Sequence, residues 1–374
     1  MCFNSYFCKN SETMHLSSDK ASDSHRLPAE WEPQQCVLLT WPHAGTDWAY
    51  CLDDITATFV ALADAITQAE PLLIATPEPE QVKRLLGEAL DEEQMSRVTY
   101  CHCPTDDTWA RDHGFITLVS DDAGAPLRLL DFRFNGWGEK FPSEHDNAVN
   151  RHLYGLGLLQ GEYECHDDFV LEGGSIESDG RGTVLTTSTC LLAPHRNQPL
   201  TREEIETQLK QRLHARRIVW IDHGLLEGDD TDGHIDTIVR IAPDDTLLYV
   251  GCDDAADPQY ETFRLLEEQL RTLRTADGRP YRLIRLPMPD ALYEDGYRLP
   301  ATYANFLIIN GAVVYPTYAQ PAYDEAARIA IQTAFPQHRL IALDARTIIR
   351  QHGSIHCLTM QVPAHYVNPL HGME

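Results

Sequence analysis

The densest group of reactive side chains lies between residues 228 and 236, which read Gly-Asp-Asp-Thr-Asp-Gly-His-Ile-Asp. Four carboxylates and one imidazole in nine positions suit cation binding or acid–base chemistry. A calcium loop of the EF-hand type does not fit, because its terminal bidentate glutamate is missing. The apolar run that follows, 235–241, predicts a strand, which would point His234 and Asp236 to the same face. A solvated acidic turn is the alternative.

Two further groups stand where apolar runs begin. Residues 106–114 read Asp-Asp-Thr-Trp-Ala-Arg-Asp-His-Gly, so that Trp109 could wall a pocket and Asp112 could face into it. The alternative is a surface turn in which Arg111 pairs with a neighbouring acid. In residues 171–175, Leu-Glu-Gly-Gly-Ser, Glu172 precedes two glycines that permit a tight backbone path.

One cysteine near the C-terminal end could be a nucleophile. Cys357 follows the glycine-containing turn 353–356 and enters an apolar stretch, so its acid–base and charge partners would come from elsewhere in the fold. An inert core cysteine is the alternative. The competing feature is Cys101-His102-Cys103, whose residue types suit zinc. Its one-residue spacing is too tight for a zinc turn, and on a strand both thiols would share one buried face. The pattern therefore predicts buried cysteines there and no metal site.

These residues are spread over a chain with the pattern of an α/β protein. Of 374 residues, 43% are hydrophobic and 23% charged, which is typical of packed globular proteins. Short apolar runs alternate with amphipathic helical stretches. The predicted strands are 36–41, 71–76, 114–119, 127–134, 183–187, 217–222, 235–241, 247–252, 283–286, 306–315 and 340–343. The predicted helices are 53–70, 78–97, 147–159, 202–215, 260–275 and 323–335.

Polar, glycine-bearing clusters recur at the edges of these strands. They are spaced by roughly 60 residues, which suits one strand-and-helix module each, and fall near Trp41, Asp112, Gly174, His234, Asn305 and Gly353. The segments 174–177, Gly-Ser-Ile-Glu, and 353–356, Gly-Ser-Ile-His, also look alike. A pseudo-symmetric ring of modules whose clusters meet at the centre would explain this even scatter. Chance similarity is the alternative.

Charge and chain organisation narrow the possible partners. The 30 basic and 57 acidic residues give a net charge of −27, which disfavours nucleic acid and anionic membranes and favours small cations such as amines or guanidinium compounds. No run of 18 apolar residues is present, and residues 1–26 lack the pattern of a secretion signal. We therefore expect a cytoplasmic protein with mostly reduced cysteines, a flexible tail over 1–26 and one large domain over 27–370.

Several motifs, taken in chain order, resemble those of agmatine deiminases. The matching segments are LPAEW at 27–31, TWARD at 108–112, FNGWG at 134–138, LEGGSI at 171–176, GDDTDGHID at 228–236 and GSIHC at 353–357. They cover nearly the whole chain after residue 26. One departure lies at the nucleophile, where many agmatine deiminases have Gly-Gly-Gly-Asn-Ile-His-Cys and this chain has Gln-His-Gly-Ser-Ile-His-Cys over 351–357. The departure concerns the choice of substrate more than the type of reaction.

The resemblance implies the fold of the guanidino-group-modifying enzymes, a single-domain five-module pseudo-symmetric α/β propeller with the active site at the centre. Residues 27–370 would be the deiminase catalytic domain. The resemblance also implies a nucleophile, a general acid and base, and three carboxylates that hold the guanidinium, namely Cys357, His234, Asp112, Asp236 and Glu172.

The implied reaction hydrolyses agmatine to N-carbamoylputrescine and ammonia, a step toward putrescine, through a covalent amidino-cysteine intermediate. The bound cation would help to ionise the nucleophilic thiol. Trp109, Asp230 and Gly353 would contact the substrate, Trp109 along its aliphatic chain, and one of the acids at 229, 230 and 232 would attract its far amine. No metal or organic cofactor is implied.

Two alternatives remain open. A deiminase of peptidyl-arginine or free arginine would use the same chemistry, although the sequence assigns no Arg or Lys that would hold the carboxylate of free arginine. A polyamine-binding protein without chemistry would leave Cys357 an inert core thiol. Enzymes of the resembling family are commonly assembled from identical subunits, so we expect a homo-oligomer, a dimer, whose other partner is a small cationic guanidino substrate.

Overall fold

The computed structural model describes residues 24–122 and 124–364. Strands β1 to β19 are, in chain order, His25–Arg26, Gln34–Thr40, Leu72–Thr76, Val98–His102, Ile116–Ser120, Arg128–Arg133, Glu162–Val170, Ile176–Ser178, Thr183–Thr187, Arg217–Ile221, Val239–Ala242, Thr246–Gly251, Arg282–Pro287, Tyr293–Glu294, Tyr297–Arg298, Leu307–Ile309, Ala312–Thr317, Arg339–Asp344 and Thr359–Pro363. Helices α1 to α10 are Leu52–Thr67, Pro79–Ala89, Glu92–Ser96, Ala110–His113, Gly136–Glu139, Val149–Gly155, Ser188–Leu191, Arg202–Arg212, Tyr260–Thr272 and Pro321–Ala334. Five short 3₁₀ turns span Asp47–Cys51, Asp146–Ala148, Gly173–Ser175, Ile235–Thr237 and Ile348–Gln351.

Local sequence explains the longer helices. In α1 the side chains of Ile55, Phe59, Leu62 and Ile66, spaced three and four apart, form one fully buried stripe. The helix predicted over 78–97 is instead two helices, because Leu90 is extended and Asp91 caps a new start by accepting a hydrogen bond from the backbone N–H at position 94.

Five sheets of the described chain repeat one topology. In each, a first strand runs antiparallel to a middle strand, which crosses over through an α-helix to a parallel third strand. We call each such unit a module. The modules are β5-β6-α6-β7, β8-β9-α8-β10, β11-β12-α9-β13, β16-β17-α10-β18 and β19-β2-α1-β3. Strands β1 and β4 extend two of these sheets, and β14 and β15 form a separate hairpin.

Neighbouring modules pack on one another and the chain ends meet in one sheet. Helix α10 contacts β12 and β13 of the preceding module, and α1 contacts β18. Strand β19, from the C-terminal end, pairs with β2 near the start of the described chain, with Thr359 opposite Leu39. The fold is therefore a mixed α/β arrangement of several small sheets, as the alternating pattern predicts.

Two strand predictions are wrong in detail. Residues 235–241 are not one strand, because a 3₁₀ turn over Ile235–Thr237 precedes β11. His234 and Asp236 therefore lie ahead of the strand and do not share one of its faces. Residues 306–315 are interrupted by a turn at 310–311, where Gly311 has a φ of +72°, so that β16 and β17 form a hairpin.

No apolar run predicts strand β7. Most of its nine residues are polar, and only the last two are buried, in the sequence Glu-Tyr-Glu-Cys-His-Asp-Asp-Phe-Val. By contrast, the prediction of buried thiols at Cys101 and Cys103 is confirmed, since they are 1% and 0% exposed.

The predicted flexible tail ends too late. His25 and Arg26 form β1 and pair with Ser120 and Val119 of β5, so ordered structure begins before residue 27. The remainder of that prediction, 1–23, and the last residues of the predicted domain, 365–370, lie outside the described residues. Among the helices that the structure describes, none combines the length and apolar character needed to cross a bilayer.

Candidate active site

Each module contributes one short segment to a common site, and each segment lies just ahead of the module's first strand. Asp112 in α4 precedes β5, Gly174 in a 3₁₀ turn precedes β8, Asp236 precedes β11, Asn305 precedes β16 and Cys357 precedes β19. Five of the six recurring clusters predicted at strand edges correspond to these segments. The sixth, near Trp41, follows the middle strand β2, and Trp41 is buried in the core. Because equivalent positions of repeated units face the same way, reactive residues far apart in sequence come together.

Cys357 lies at the bottom of this site and is 4% exposed. Its Sγ is 3.4 Å from Oδ1 of Asn305 and 3.7 Å from Oδ2 of Asp236, and its backbone N–H also donates to Asn305 Oδ1 at 3.3 Å. Burial, together with the carboxylates of Asp236 and Asp112, raises the pKa of the Cys357 thiol well above its ordinary value. Without a bound cationic ligand, Cys357 is therefore a neutral thiol.

Asp112 is fixed by two donors. Trp137 Nε1 donates to Oδ2 at 2.9 Å, and the backbone N–H of Gly174 donates to Oδ1 at 3.0 Å. Trp137 has a φ of +56°, a left-handed conformation that non-glycine residues rarely adopt, so the surrounding fold holds this donor in place at a cost in backbone strain. Burial raises the pKa of Asp112, although the neighbouring His234 opposes that shift.

His234 is fully buried, and neither of its ring nitrogens makes a hydrogen bond of ordinary length within the described chain. Its Nδ1 is 3.7 Å from Oδ1 of Asp112. Burial disfavours the imidazolium, but the carboxylate of Asp112, the Cys190 sulfur and the carboxylate of Asp236 together raise the pKa of His234 well above its ordinary value. A protonated imidazole without a committed partner can donate its proton to a leaving group.

Glu172 is also fully buried, but it occupies a different position from the other two carboxylates. Its Oε1 accepts a hydrogen bond from Nε of Arg196 at 2.9 Å, and its second oxygen has no partner within the described residues. Oxygen, sulfur and nitrogen atoms of Glu172, Cys190 and His234 lie within 4.8 Å of one another. Glu172, His234 and Asp236 all lie behind the residues that line the cleft to Cys357. Glu172 lies beside His234, whereas Asp236 lies 3.7 Å from the sulfur of Cys357.

Within the part of the chain that the structure describes, two groups of residues could in principle ligate a metal ion. One is Glu172, Cys190 and His234, and the other is Glu30, Glu177 and His356. In the first group Arg196 already neutralises the carboxylate, and in the second the guanidinium of Arg240 bridges both glutamates. Both groups therefore carry their own buried cations, an arrangement that does not suit a resident metal ion.

Gly174 is small because the site leaves no room for a side chain. A Cβ atom there would lie 2.6 Å from Nδ1 of His234, 2.9 Å from Oδ1 of Asp112 and 3.2 Å from Oδ2 of Asp236. Gly353 makes a similar close approach, because its Cβ would lie 2.1 Å from the ring of Trp109. The two look-alike segments thus place a glycine where backbone must pass against a functional side chain.

A narrow cleft leads from the surface to Cys357 and Asp112. Its aromatic walls are Trp109, Trp137 and Phe141, and further lining residues are Asp47, Asp107, Asp230, Thr231, Gln351, His352 and Gly353. Among the described residues, the lining therefore contains four aspartates and neither arginine nor lysine. A slender cation with an apolar middle matches such a cleft in shape and charge.

The carboxylates of the cleft are poorly hydrated. Burial raises the pKa of Asp107 to about 7, even though Trp109 Nε1 donates to it at 3.0 Å. Burial likewise raises the pKa of Asp230 to about 6, against the opposing effect of His352. A cation bound between these groups would favour their ionised forms and would itself be held more strongly than in water.

The structure distinguishes among the acids of the 228–236 segment. Asp229 accepts hydrogen bonds from the Thr231 hydroxyl and from the backbone N–H of Gly233 at 2.7 Å, so it shapes the turn. Asp232 pairs with Arg196 at 2.6 Å and with a lysine at position 140. Asp230 lines the cleft. The alternative of a solvated acidic turn is wrong for His234 and Asp236 at its end, both of which are fully buried.

Arg111 does not sit in a surface turn either. It is 4% exposed, donates to Oε1 of Glu30 at 3.2 Å and also bonds the side chain of Gln361. The alternative in which Arg111 pairs with a neighbouring acid is therefore wrong, because its carboxylate partner is 81 positions away in the sequence.

The structure thus brings together Asp112, His234, Asp236 and Cys357, with Trp109, Asp230 and Gly353 along the cleft. Sequence reasoning assigned no role to five residues that support them, namely Glu30, Trp137, Arg196, Asn305 and His356. Glu30, Trp137 and His356 stand inside the quoted motifs, and Asn305 marks one of the recurring clusters. Arg196 carries no local signal, because its partners are 24 and 36 residues away in sequence.

Comparison with known proteins agrees with this geometry. Residues 26–363 match the family model of the Porphyromonas-type peptidyl-arginine deiminase. An agmatine deiminase of Stutzerimonas stutzeri is 34% identical over 374 residues, covering 94% of this chain and 99% of that protein.

Two solved structures are similar over the same span. A candidate arginine deiminase from Porphyromonas gingivalis has 46% identity and a TM-score of 0.85, covering 92% of this chain and all of that one. A cysteine-to-serine variant of C. jejuni agmatine deiminase with substrate bound has 34% identity and a TM-score of 0.84, covering 94% and 98%.

Proposed function

The chain belongs to the Porphyromonas-type peptidyl-arginine deiminase family of guanidino-group hydrolases, and we propose that its own substrate is agmatine, which it converts to N-carbamoylputrescine and ammonia. The observation that carries the proposal is the cleft, which combines aromatic walls, four aspartates and a buried cysteine without an arginine or lysine in its lining. Agmatine has a guanidinium at one end, a primary amine at the other and methylenes between them.

In the proposed reaction, Asp112 and Asp236 accept the N–H donors of the planar guanidinium and place its central carbon beside Cys357 Sγ. The positive charge of the substrate offsets the two carboxylates that hold the pKa of the thiol high, and so favours the thiolate. Attack forms a carbon–sulfur bond. The imidazolium of His234 then protonates one nitrogen, which leaves as ammonia.

The second half of the proposed reaction is hydrolysis. The neutral imidazole of His234 accepts a proton from water as the water oxygen attacks the amidino carbon, and the carbon–sulfur bond breaks to return Cys357. Glu172, beside His234, offsets the charge that this imidazole carries before it donates its proton and after it accepts one from water. The thiol proton leaves to solvent when the cation binds, and the hydroxyl proton of the second tetrahedral intermediate passes to the departing sulfur. Guanidinium and water thus give the ureido product, ammonia and one proton, and no cofactor is required.

Asp230 and Trp109 are proposed to select the substrate. Asp230 lines the cleft and receives the far amine, and the indole ring of Trp109 packs against the methylenes. Gly353 is proposed to keep the backbone close enough to the Trp109 ring for the cleft to stay narrow.

We further infer that the five modules surround the site as a pseudo-symmetric propeller within one catalytic domain. Three observations support this arrangement. The module topology repeats, helices α10 and α1 contact neighbouring modules, and one segment of the site lies ahead of the first strand of each module.

The experiment that tests the proposal measures ammonia and ureido-product release from agmatine, free arginine and a blocked arginyl peptide, each with wild type and Cys357→Ser. Turnover of agmatine that disappears in Cys357→Ser is the expected result. Absence of turnover for all three substrates would contradict the enzymatic proposal.

A second candidate is deimination of arginine or of arginyl peptides. It is favoured by the 46% identity to the P. gingivalis protein described as a candidate arginine deiminase. The same experiment separates the candidates, because the four aspartates of the cleft would repel the carboxylate of free arginine. Preferential turnover of arginine or of the peptide would replace agmatine as the substrate and leave the mechanism unchanged.

A further inference from the structure

A cluster of six charged side chains lies behind the nucleophile, on the side away from the cleft. It contains three acids and three bases, namely Glu30, Glu177, Asp236, Arg111, Arg240 and His356. Arg240 and His356 are fully buried. Only Asp236 among the six belongs to the proposed reaction, and a balanced set of buried charges is costly to desolvate unless its geometry is well satisfied.

His356 sits between two carboxylates. Its Nδ1 is 2.7 Å from Oδ2 of Asp236 and its Nε2 is 2.8 Å from Oε1 of Glu30. Each ring nitrogen therefore faces an acceptor at hydrogen-bond distance, which an imidazole satisfies fully only when both nitrogens carry a proton. The geometry describes an imidazolium clamped between two carboxylates, one of which flanks Cys357.

Glu30 is the outer end of this chain of contacts and is held by further charges. Its Oε2 accepts from Arg240 at 2.6 Å and from Gln361 at 3.2 Å, and its Oε1 accepts from Arg111 at 3.2 Å. Burial alone would raise the pKa of Glu30, but the charges of His356, Arg240 and Arg111 lower it well below its ordinary value. Glu30 is thus an anion throughout the neutral range.

Arg240 connects the same cluster to the other neighbour of the nucleophile. Its Nη1 donates to the carbonyl of Ala304 at 3.0 Å and to the carbonyl of Phe306 at 2.5 Å, the two residues that flank Asn305. Asn305 Oδ1 in turn accepts the backbone N–H groups of His356 and Cys357. Both side chains that touch the thiol, Asp236 and Asn305, are therefore fixed by one buried ionic cluster.

We propose that Glu30 is a positioning residue for the deiminase reaction, which through His356 holds the Asp236 carboxylate ionised and aimed at the space beside Cys357. This proposal rests on the function proposed above. Glu30 touches neither substrate nor reacting atoms and acts through the imidazolium. Its effect follows from geometry, since Asp236 accepts a hydrogen bond from a cation that Glu30 itself keeps charged and oriented.

The test is the kinetic behaviour of Glu30→Gln. We expect kcat/KM to fall by about 10- to 100-fold, with KM raised, because a misaligned Asp236 binds the guanidinium less well. The acid limb of the pH profile of kcat/KM should also move to higher pH, because a His356 ring that Glu30 no longer orients donates less well to Asp236 and lowers the pKa of that carboxyl less. A loss of kcat at unchanged KM and unchanged pH profile would indicate a merely structural role and overturn the proposal.

Glu32→Gln is the matched control. Glu32 comes from the same segment, binds Arg26 through both of its carboxylate oxygens and accepts the backbone N–H of Ala29 at 2.8 Å, but it makes no hydrogen bond or ion pair to His356 or Arg240. We expect a small loss of stability with KM and the pH profile of wild type. A response equal to that of Glu30→Gln would show that the kinetic effect comes from anchoring of this segment and not from the contacts that link Glu30 through His356 to Asp236.

A second measurement does not depend on catalysis or on the folding of a Glu30 variant. In wild-type protein carrying ¹⁵N-histidine, both ring nitrogens of His356 should show protonated imidazolium signals at neutral pH, assigned by their absence from His356→Gln. A neutral tautomer would overturn the proposal. If the wild type hydrolysed no guanidino compound, the proposed function would fail. This spectrum would still show whether His356 carries a proton on both ring nitrogens.

Discussion

At the scale of single residues, Cys357 faces two opposed requirements. Its neighbours Asp112 and Asp236 suit the recognition of a planar cation, yet the same two charges and burial raise the pKa of the thiol well above its ordinary value. Nearby His234 has its pKa raised as well, so the resting pair is thiol and imidazolium. A site of this kind becomes reactive when the substrate supplies the missing positive charge.

The pH dependence of alkylation tests this state. In protein free of substrate, modification of Cys357 by iodoacetamide should be slow at neutral pH and should still be rising at pH 9.0, the ordinary pKa of a cysteine thiol, because the pKa of Cys357 is higher. Peptide mapping by mass spectrometry would separate this thiol from the other cysteines. A rate that reaches its plateau below pH 9.0 would contradict the predicted shift.

Gly174→Ala should abolish most activity without unfolding the protein. The new Cβ would lie 2.6 Å from Nδ1 of His234 and 2.9 Å from Oδ1 of Asp112, so both must move, and displacements near 1 Å cost roughly 10²-fold in rate. The control is Gly155→Ala, whose Cβ would meet nothing within 4 Å. Steady-state kinetics of the two variants give the comparison, and equal activity would refute the close packing at position 174.

Asp230→Asn should weaken recognition of the far amine. We expect kcat/KM for agmatine to fall by about tenfold or more, as is typical when one partner of a charged hydrogen bond is lost. Butylguanidine, which lacks the amine, provides the control because its kcat/KM should barely change. An equal loss for both substrates would show that Asp230 shapes the cleft and does not recognise the amine.

At the scale of elements, the residues of the candidate site lie in short segments ahead of strands, whereas the longer helices stabilise the fold. Helix α8 shows the division, because it begins with a capping box in which Thr201 and Glu204 satisfy each other's backbone N–H groups. It packs on β10 through Ile205 and Leu209, both fully buried, and contributes no residue to the cleft.

Thr201→Ala should therefore lower the free energy of unfolding by about 1 kcal/mol and leave kcat/KM unchanged. Thr207→Ala on the same helix is the control, since the hydroxyl of Thr207 only donates to the carbonyl of Glu203 and alanine has the higher helix propensity. Denaturant unfolding of the two variants measures the difference. A loss of activity in Thr201→Ala at preserved stability would break the proposed division.

At the scale of the whole molecule, the net charge and the pairing of the two ends of the described chain both bear on Cys357. The protein has a net charge of −27, and four aspartates line the cleft. Its electrostatic field therefore draws cations toward Cys357. Pairing of β19 with β2 places the strand that follows Cys357 in one sheet with β2 and β3, near the start of the described chain. Cys357 is thereby held by residues from both ends of the described chain.

Ionic strength should accordingly lower kcat/KM for agmatine by several-fold between roughly 0.01 M and 1 M salt, where the Debye length shrinks from about 30 Å to about 3 Å. Butylguanidine, with one positive charge instead of two, should respond less. The same salt dependence for both substrates would mean that the overall field of the protein does not contribute to agmatine capture.

Sequence by itself determined the reactive residue types, their order and the alternating α/β pattern, because these depend on local composition and spacing. It also marked Asn305 and Gly174 as cluster positions without assigning Asn305 a role. Only the tertiary structure decided which acid of 228–236 faces the cleft, that His234 and Asp236 precede their strand, and that Glu30 meets His356. Those outcomes rest on contacts between residues distant in the chain, and a partner that lies 326 positions away leaves no local signal in the sequence.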